Sequence, residues 1–232
     1  MGAQWKHKGR TEASNAKGKM ISKLVKEIMV AAKSGADLAA NPRLRVLVEA
    51  AKKASMTKDT LDRAIKKGAG LLDEKVTYEI VTYEGFAPQH VPVIVECLTD
   101  NRTRTASNVR NIFRRGQLAA TGAISWDFNR LGMVEASAPA ASADAETAAI
   151  ECGAQDLEPA EEGATRFFTE PGDVDTVVHA LGAAGWKVTG ATIGWRAKNP
   201  VKVEGAALAQ VESFLSELHE DDDVQTIYAG LW

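Results

Sequence analysis

The spacing of apolar residues changes near residue 76, and this change constrains the fold more than any other feature of the sequence. Before it, apolar residues recur every three to four positions, as they do on one face of an α-helix. After it, segments such as "VTYEIVTYEGF" (76–86) and "VPVIVECLT" (91–99) have the two-residue alternation of β-strands. We therefore expect an all-helical part followed by α/β structure.

Three helices are predicted in the first part. The first lies within residues 14–33 and has a row of lysines opposite its apolar face. Asn41 is suited to cap the second helix with Pro42 at its first position, and the third helix runs from about Thr57 to Gly68. The lysine row contains Lys19, Lys23, Lys26 and Lys33.

Two cycles of strands and helices follow. The first cycle contains the two strands quoted above, a helix at 105–115 and a further strand, "AISWDF" (123–128). In that last strand Trp126 alternates with Ile124 and Phe128, so all three side chains are expected in the core.

The second cycle has the strand and helix order of a ferredoxin-like domain. Its predicted elements are a strand at 131–136, a helix at about 142–151, strands near 155–159 and 164–169, a helix at about 172–184 and a strand at 187–197. One helix, "ALAQVESFLSEL", and one strand, "VQTIYAGL", remain near the end of the chain. The first cycle is short of one helix and one strand, and this pair completes it.

These elements predict an α+β protein of three domains. A basic helical domain occupies residues 1–75. A discontinuous α/β domain is made from 76–130 and 199–232, and a ferredoxin-like α/β domain, 131–198, is inserted into it. Both α/β domains are expected to be ferredoxin-like.

The formal net charge of −3 conceals a strong asymmetry along the chain. Residues 1–70 contain 16 Lys and Arg against 6 Asp and Glu, whereas the remaining residues contain 12 against 25. A basic block on an acidic protein is the electrostatic footprint of a protein that binds polyphosphate. Lysines also solvate helices, and Lys66 and Lys67 suit the dipole of a helix that ends there. We favour nucleic acid as the partner.

Other classes of protein find little support in the sequence. No apolar run approaches the roughly 20 residues that span a bilayer, and no secretory signal is recognisable, so a cytoplasmic location is expected. Cys97 and Cys152 have no metal or disulfide spacing and are interpreted as reduced packing residues. The four histidines are scattered, and the acidic run 220–223 lacks the spacing of a calcium loop. We expect no enzyme activity, catalytic residue, metal, cofactor or small-molecule substrate.

The segment "TDNRTRTASNVRNIFRRG" (99–116) joins a strand to a helix through a cationic turn. The start of a helix exposes backbone N–H groups and a partial positive charge, so such a turn is suited to hold phosphate. An ordinary solvated loop, with Asp100 and Asn101 fixing the turn, is the alternative. The predicted phosphate contacts of this segment are Asn101, Arg102, Arg104, Thr105, Arg110 and Arg114.

Four long segments occur in an order that matches a known family. They are "NPRLRVLVEAAKKASMTKDTLDRAIKKGAG" (41–70), "YEGFAPQHVPVIVECLTDNRTRTASNVRNIF" (83–113), "TGAISWDF" (121–128) and "DDDVQTIYAGL" (221–231). They closely resemble the YebC/PmpR family, which includes the mitochondrial translational activator of cytochrome c oxidase, and the resemblance extends over essentially the full length. It implies three domains, no enzymatic activity and no cofactor.

The resemblance also implies a function and some of its residues. Bacterial members are described as transcriptional regulators that bind DNA, and members have been tied to relief of ribosome stalling on proline-rich stretches. The basic N-terminal motif of the family falls on Trp5, Lys6, His7, Lys8 and Arg10, and its next basic segment on Ala16 to Lys19. The remaining predicted contacts in the basic block, including two from that segment, are Lys17, Lys19, Lys23, Lys26, Arg43, Arg45, Lys58, Lys66 and Lys67.

Three hypotheses for function remain open at this stage. The first is a non-enzymatic regulator that binds DNA through its basic surface. The second is a translation factor that binds rRNA or tRNA on the ribosome by the same electrostatics. The third is a protein–protein interaction module whose acidic domains bind a basic partner. No helix carries an obvious set of base-reading side chains, which favours backbone or shape recognition.

Overall fold

The computed structural model describes residues 4–72, 77–140, 143–160 and 163–232, with the side chains from residue 17 onward except that of Pro42. Helices α1 to α7 span Gln4–Ala32, Pro42–Lys53, Lys58–Gly68, Arg102–Ile112, Ala145–Cys152, Val174–Ala183 and Gly205–Glu220. Strands β1 to β8 span Glu79–Phe86, Pro92–Thr99, Gln117–Leu118, Phe128–Ser137, Asp156–Pro159, Thr165–Thr169, Lys187–Ala197 and Val224–Ala229.

The predicted helix boundaries in the first part are largely confirmed. Asn41 caps α2, because its Oδ1 accepts a hydrogen bond from the Leu44 amide at 3.0 Å, and Thr57 caps α3. Asn41 also donates to the carbonyl oxygens of Ala31 and Gly35, both at 2.8 Å, so one amide fixes the turn between α1 and α2. Helix α1 begins at Gln4, ten residues before the predicted start at 14, because its first turns lack the apolar periodicity that reveals a helix.

The three N-terminal helices share a small apolar core. Its buried members are Ile28, Met29, Ala31, Ala32, Leu44, Val48, Ala51 and Ala64. Helix α3 approaches α1 closely at Gly68, where an added Cβ would lie 2.3 Å from the backbone oxygen of Met29. Only glycine allows the two backbones to meet at this distance.

The first sheet has the strand order β3-β1-β2-β8. Beside it, α4 and α7 bury Val109, Phe113, Val211, Phe214 and Leu218. The rings of Phe113 and Phe214 meet edge to face with their centroids 5.1 Å apart, which anchors the end of α4 against α7.

The second sheet has the strand order β5-β6-β4-β7, and its neighbouring strands are antiparallel. Val134, Ala136 and Phe167 on the sheet pack with α5 and α6 around Leu181 and Trp186. The two central strands are the first and third of this cycle, as the ferredoxin-like order requires. The sequence-based α+β fold class is confirmed.

The packing divides the chain into two compact units. The first contains the residues up to His90 together with Val95–Thr121 and Glu204–Ile227, and the second contains Val91–Ile94, Gly122–Val203 and Tyr228–Trp232. The division into three domains stays a prediction. None of the helices in the described ranges is both long and apolar enough to cross a membrane.

The prediction that "AISWDF" is a strand is wrong. Ser125–Asp127 is a turn of 3-10 helix, and β4 begins only at Phe128. Ile124 and Phe128 are buried as expected, but the Trp126 side chain is 69% exposed. An alternating pattern places three residues on one face only in extended backbone, and the tighter 3-10 turn rotates Trp126 outward.

Candidate nucleic-acid interface

A buried carboxylate lies at the centre of the predicted cationic site. Asp223, 2% exposed, lies just before β8. It accepts hydrogen bonds from Lys26 Nζ at 2.7 Å, from an Arg104 guanidinium nitrogen at 2.8 Å and from Thr105 Oγ1 at 2.8 Å. Three elements that are distant in sequence, α1, α4 and the turn before β8, therefore meet at one side chain.

Local chemistry explains how the turn before α4 reaches Asp223. Asn101 caps the helix, because its Oδ1 accepts a hydrogen bond from the Arg104 amide at 3.0 Å. The backbone amide of Asn101 donates a hydrogen bond to Thr99 Oγ1 at 2.9 Å. Thr105 is fully buried one turn into α4, and its hydroxyl lies 2.7 Å from that of Thr99. The cap and the two threonines set the first turn of α4 directly against the carboxylate.

The hydrogen bonds at this cluster determine its protonation. Burial alone raises the pKa of Asp223, but the bonds from Lys26, Arg104 and Thr105 outweigh it and bring the pKa to about 2. Bonds to Asp223 and Asp100 raise the pKa of Arg104 above its ordinary value. At neutral pH Asp223 and Arg104 are therefore both charged, and the positive and negative charges of the cluster compensate one another.

Three of the predicted phosphate contacts have partners within the protein. Thr105 is buried and its hydroxyl is used within the protein. Lys26 and Arg104 both pair with Asp223, and Arg104 also pairs with Asp100 at 2.9 Å. A carboxylate thus occupies the position in which the sequence led us to expect a phosphate, because both anions suit a cationic helix start equally well.

The lysine row of α1 is directed largely at the end of α7. Lys23 Nζ donates to the carbonyl oxygen of His219 at 2.9 Å, and Lys26 Nζ donates to that of Asp222 at 2.7 Å. The last carbonyls of a helix lack partners within it and carry partial negative charge, so lysines stabilise them. Burial lowers the pKa of Lys23, and burial together with Lys23 and Lys19 lowers that of His219.

Several other cations of the basic block remain exposed and form no ion pair. Arg45 uses its guanidinium on the carbonyl oxygens of Leu38 and Ala39, and Lys33 reaches that of Tyr78. Besides Arg45, six exposed cations of α1 to α3 have no acidic group within 4.0 Å among the side chains that the structure describes. They are Lys17, Arg43, Lys53, Lys58, Arg63 and Lys66.

The predicted residues are therefore only partly brought together. Lys19 is half-buried on α1, and Lys67 is half-buried on α3. On α4, Arg102 lies 3.7 Å from Glu79 and Arg110 is exposed, as is Arg114 in the 3-10 turn after the helix. The backbone of residues 5–10 belongs to α1, but the side chains of Trp5, Lys6, His7, Lys8 and Arg10 lie outside the described residues.

The sequence reading missed Asp223 as the partner of these cations. It interpreted the acidic run 220–223 as a solvated turn, which fits Asp222 but not Asp223. The one signal available was position: Asp223 directly precedes a strand whose first residue, Val224, is buried. Nothing in the spacing connects it to Lys26 or Arg104.

Neither a metal-ligating cluster nor a reactive thiol occurs within the described residues. No group of three or more His, Cys, Asp or Glu side chains within them is arranged to hold a metal ion. Cys97 and Cys152 are free and buried, as predicted, and burial raises the pKa of Cys97 to about 12. A thiol in this state is a packing group, since the reactive form is the thiolate.

Comparison with known proteins places these features in a family. A family model described as "TACO1/YebC protein N-terminal domain" matches residues 3–71, and one described as "TACO1/YebC second and third domain" matches residues 78–231. Both matches agree with the family suggested by the sequence motifs.

Curated relatives and a solved structure extend the match to the whole chain. Over 232 residues the chain is 57% identical to a "Probable transcriptional regulatory protein" of Pseudomonas fluorescens, covering 100% of this chain and 99% of that protein. It is 44% identical over 234 residues to a similarly named protein of Bdellovibrio bacteriovorus, covering 100% of both. The crystal structure of a conserved hypothetical protein from Aquifex aeolicus superposes with a TM-score of 0.80 at 40% identity, covering 93% of this chain and 90% of that one. The chain belongs to the TACO1/YebC family.

Proposed function

We propose that this protein is a non-enzymatic regulator that binds the phosphate backbone of nucleic acid, with DNA as its target, through the outward cations of its N-terminal helices. Its relatives carry the name of transcriptional regulatory proteins. The observation that carries the proposal is the set of six exposed cations on α1 to α3 without acidic partners. Arg110 on α4 and Arg114 in the 3-10 turn after it add two further exposed charges.

Electrostatics and entropy both favour phosphate as the ligand of these side chains. An exposed lysine or arginine that forms no ion pair keeps its charge available, and binding to DNA releases the counterions condensed on phosphate. Lys26 and Arg104 do not take part, because Asp223 already pairs with both and Asp100 pairs with Arg104 as well. The surface thus recognises a charged backbone rather than base edges.

A charge-reversal variant tests this proposal. Arg43→Glu, Lys58→Glu and Lys66→Glu together remove three exposed cations, none of which makes an ion pair. We expect at least a tenfold loss of affinity for duplex DNA near physiological salt. The slope of log K against log salt should become shallower by about 2 to 3, because each lost phosphate contact removes about 0.9.

The matched control conserves the charges. Arg43→Lys, Lys58→Arg and Lys66→Arg should bind nearly as the parent does, because backbone recognition needs charge more than a particular head group. Thermal melting checks that both triple variants are folded. Equal binding by the charge-reversed protein and the parent would refute the proposal and leave the protein-interaction module.

The same cations would also bind the phosphates of rRNA or tRNA. A second experiment is therefore needed to distinguish DNA from ribosomal RNA as the physiological target. Sedimentation of a lysate through a sucrose gradient in low and high salt distinguishes the two. Free protein that retards duplex DNA in a gel supports transcriptional control. Comigration with ribosomes that salt abolishes supports the translation factor.

A further inference from the structure

Trp126 exposes its indole ring although both apolar neighbours in its motif are buried. The side chain is 69% exposed, whereas Ile124 and Phe128 are 2% and 4% exposed. Tryptophan has a large flat ring with one polar N–H, so a solvent-facing indole offers a ligand a broad stacking surface.

Five hydrogen bonds hold this turn rigid and fix the ring. The indole N–H donates to the Ala123 carbonyl oxygen at 2.7 Å, and the Trp126 carbonyl accepts from Lys198 Nζ at 2.6 Å. The Asp127 amide donates to Ile124 O, its carbonyl accepts from the Lys198 amide, and its carboxylate accepts from Asn199. With its only donor used internally, the indole offers a ligand a flat apolar surface.

Cations gather near Trp126 along the paired strands β4 and β7, although the segment that carries them is acidic. Residues 122–203 contain 6 Lys and Arg against 12 Asp and Glu, yet four of those six cations lie at the start of β4 or at and after the end of β7. They are Arg130, Arg196, Lys198 and Lys202. Arg196 is paired with Asp156, but Arg130 and Lys198 are exposed.

Both exposed cations keep donors for an anion. Arg130 lies over the face of Trp195, with its guanidinium carbon 5.9 Å from the ring centroid, and has no acidic partner among the residues that the structure describes. The Lys198 ammonium group has three N–H donors, and one of them donates to the Trp126 carbonyl oxygen, which leaves two for a ligand. An exposed, fixed aromatic ring whose turn holds a lysine with donors to spare is suited to single-stranded nucleic acid, in which bases stack and phosphates pair with cations.

We propose that Trp126 is a stacking platform for an unpaired nucleobase, with Arg130 and Lys198 contacting the adjacent phosphates. This inference rests on the proposed function, since it takes nucleic acid as the partner, and it adds a preference for unpaired regions. Bases within a duplex are stacked on one another and do not reach the ring, whereas every unpaired base has a face to offer.

The test compares single-stranded and duplex DNA with Trp126 variants. Fluorescence anisotropy gives the affinity for a labelled oligothymidine dodecamer and for a dodecamer duplex. Trp126→Ala should weaken binding of the single strand by about five- to a hundred-fold, the range expected for loss of one base–aromatic stack, and change duplex binding less than twofold. Trp126→Leu, which stays apolar but has no ring, should show the same loss, and Trp126→Phe should recover most of the affinity.

Trp232 provides a matched control, because it is 82% exposed and Trp232→Ala also removes an exposed indole. That variant should bind both ligands as the parent does. Unchanged single-strand binding by Trp126→Ala and Trp126→Leu, with normal duplex binding, overturns the stacking platform and leaves the proposed function intact. An equal loss for both ligands also overturns it. A parent protein that binds neither ligand overturns the proposed function as well.

Discussion

Lys26 and Asp223 form an ion pair of 2.7 Å although 197 residues separate them in the sequence. The lysine side chain is 14% exposed and the aspartate side chain 3%, so the pair is nearly withdrawn from water. Such a pair is useful only when its remaining hydrogen-bonding capacity is satisfied, which Arg104 and Thr105 achieve for the carboxylate. The pair ties the first helix of the chain to the turn before its last strand.

Removal of this carboxylate should destabilise the protein strongly. Asp223→Ala leaves Lys26 buried without its counterion, and we expect the free energy of unfolding to fall by about 3 to 5 kcal/mol. Urea denaturation measures the change. The control is Asp222→Ala next to it, whose exposed side chain should contribute less than about 0.5 kcal/mol. Similar losses for the two variants would contradict the role given to Asp223.

Stability should depend on pH through the same group. The folded pKa of Asp223, about 2, lies below the unfolded value near 3.9, so its stabilisation is complete above pH 4 and is lost as the pH falls through 2. The difference corresponds to about 2 kcal/mol. Unfolding measured from pH 5 to pH 2 should show this loss in the parent. Asp223→Asn should lack that part of the pH dependence, and an unchanged profile would show that other carboxylates cause it.

Gly68 should not tolerate a side chain despite its place in a helix. Gly68→Ala places a Cβ 2.3 Å from the Met29 backbone oxygen, so α1 and α3 must separate, at a cost of about 1 to 3 kcal/mol. The matched substitution is Gly18→Ala on α1, where nothing lies within 4 Å of the new Cβ. That change should stabilise the protein by about 0.5 to 1 kcal/mol, because alanine is the better helix former. Opposite signs in thermal melting are the expected result.

The two thiols should be inert until the protein unfolds. Cys97 is 1% exposed with a pKa of about 12, and burial raises the pKa of Cys152 as well. Labelling by a disulfide reagent at neutral pH should be slow in buffer and fast in denaturant, with both thiols reacting. Rapid labelling of Cys97 in the native protein would show that β2 opens locally, and Cys97→Ser distinguishes the two sites.

Local signals explain why much of the fold could be predicted. Asn41 and Thr57 each precede a helix and cap it, so side-chain chemistry within a few residues determined these boundaries. Asn101 also caps a helix, but α4 begins at Arg102 and not at the predicted residue 105. In the second cycle, the periodicity of apolar residues was enough to predict the order of strands and helices along the chain. The observed sheet order is the one that this ferredoxin-like order of elements implies.

Properties that depend on distant residues could not be predicted in the same way. The sequence identified Lys26 and Arg104 as cations but not their partner, because Asp223 reaches them only after the chain folds. Trp126 had the alternation of a core strand residue, and only the 3-10 geometry of its turn directs it to solvent. The order of residue types along the chain shows which local structure each segment prefers. The ion-pair partner of a lysine and the exposure of a tryptophan depend instead on contacts that form only in the folded protein.

The separation of Lys26 from Asp223 also has a temporal side. At synthesis rates of about 5 to 20 residues per second, the 197 intervening positions delay the aspartate by roughly 10 to 40 seconds. Throughout that interval the ribosome holds a nascent chain whose ammonium group must stay hydrated. The Lys26–Asp223 ion pair can therefore form only late in translation, and it cannot help the first helices to form.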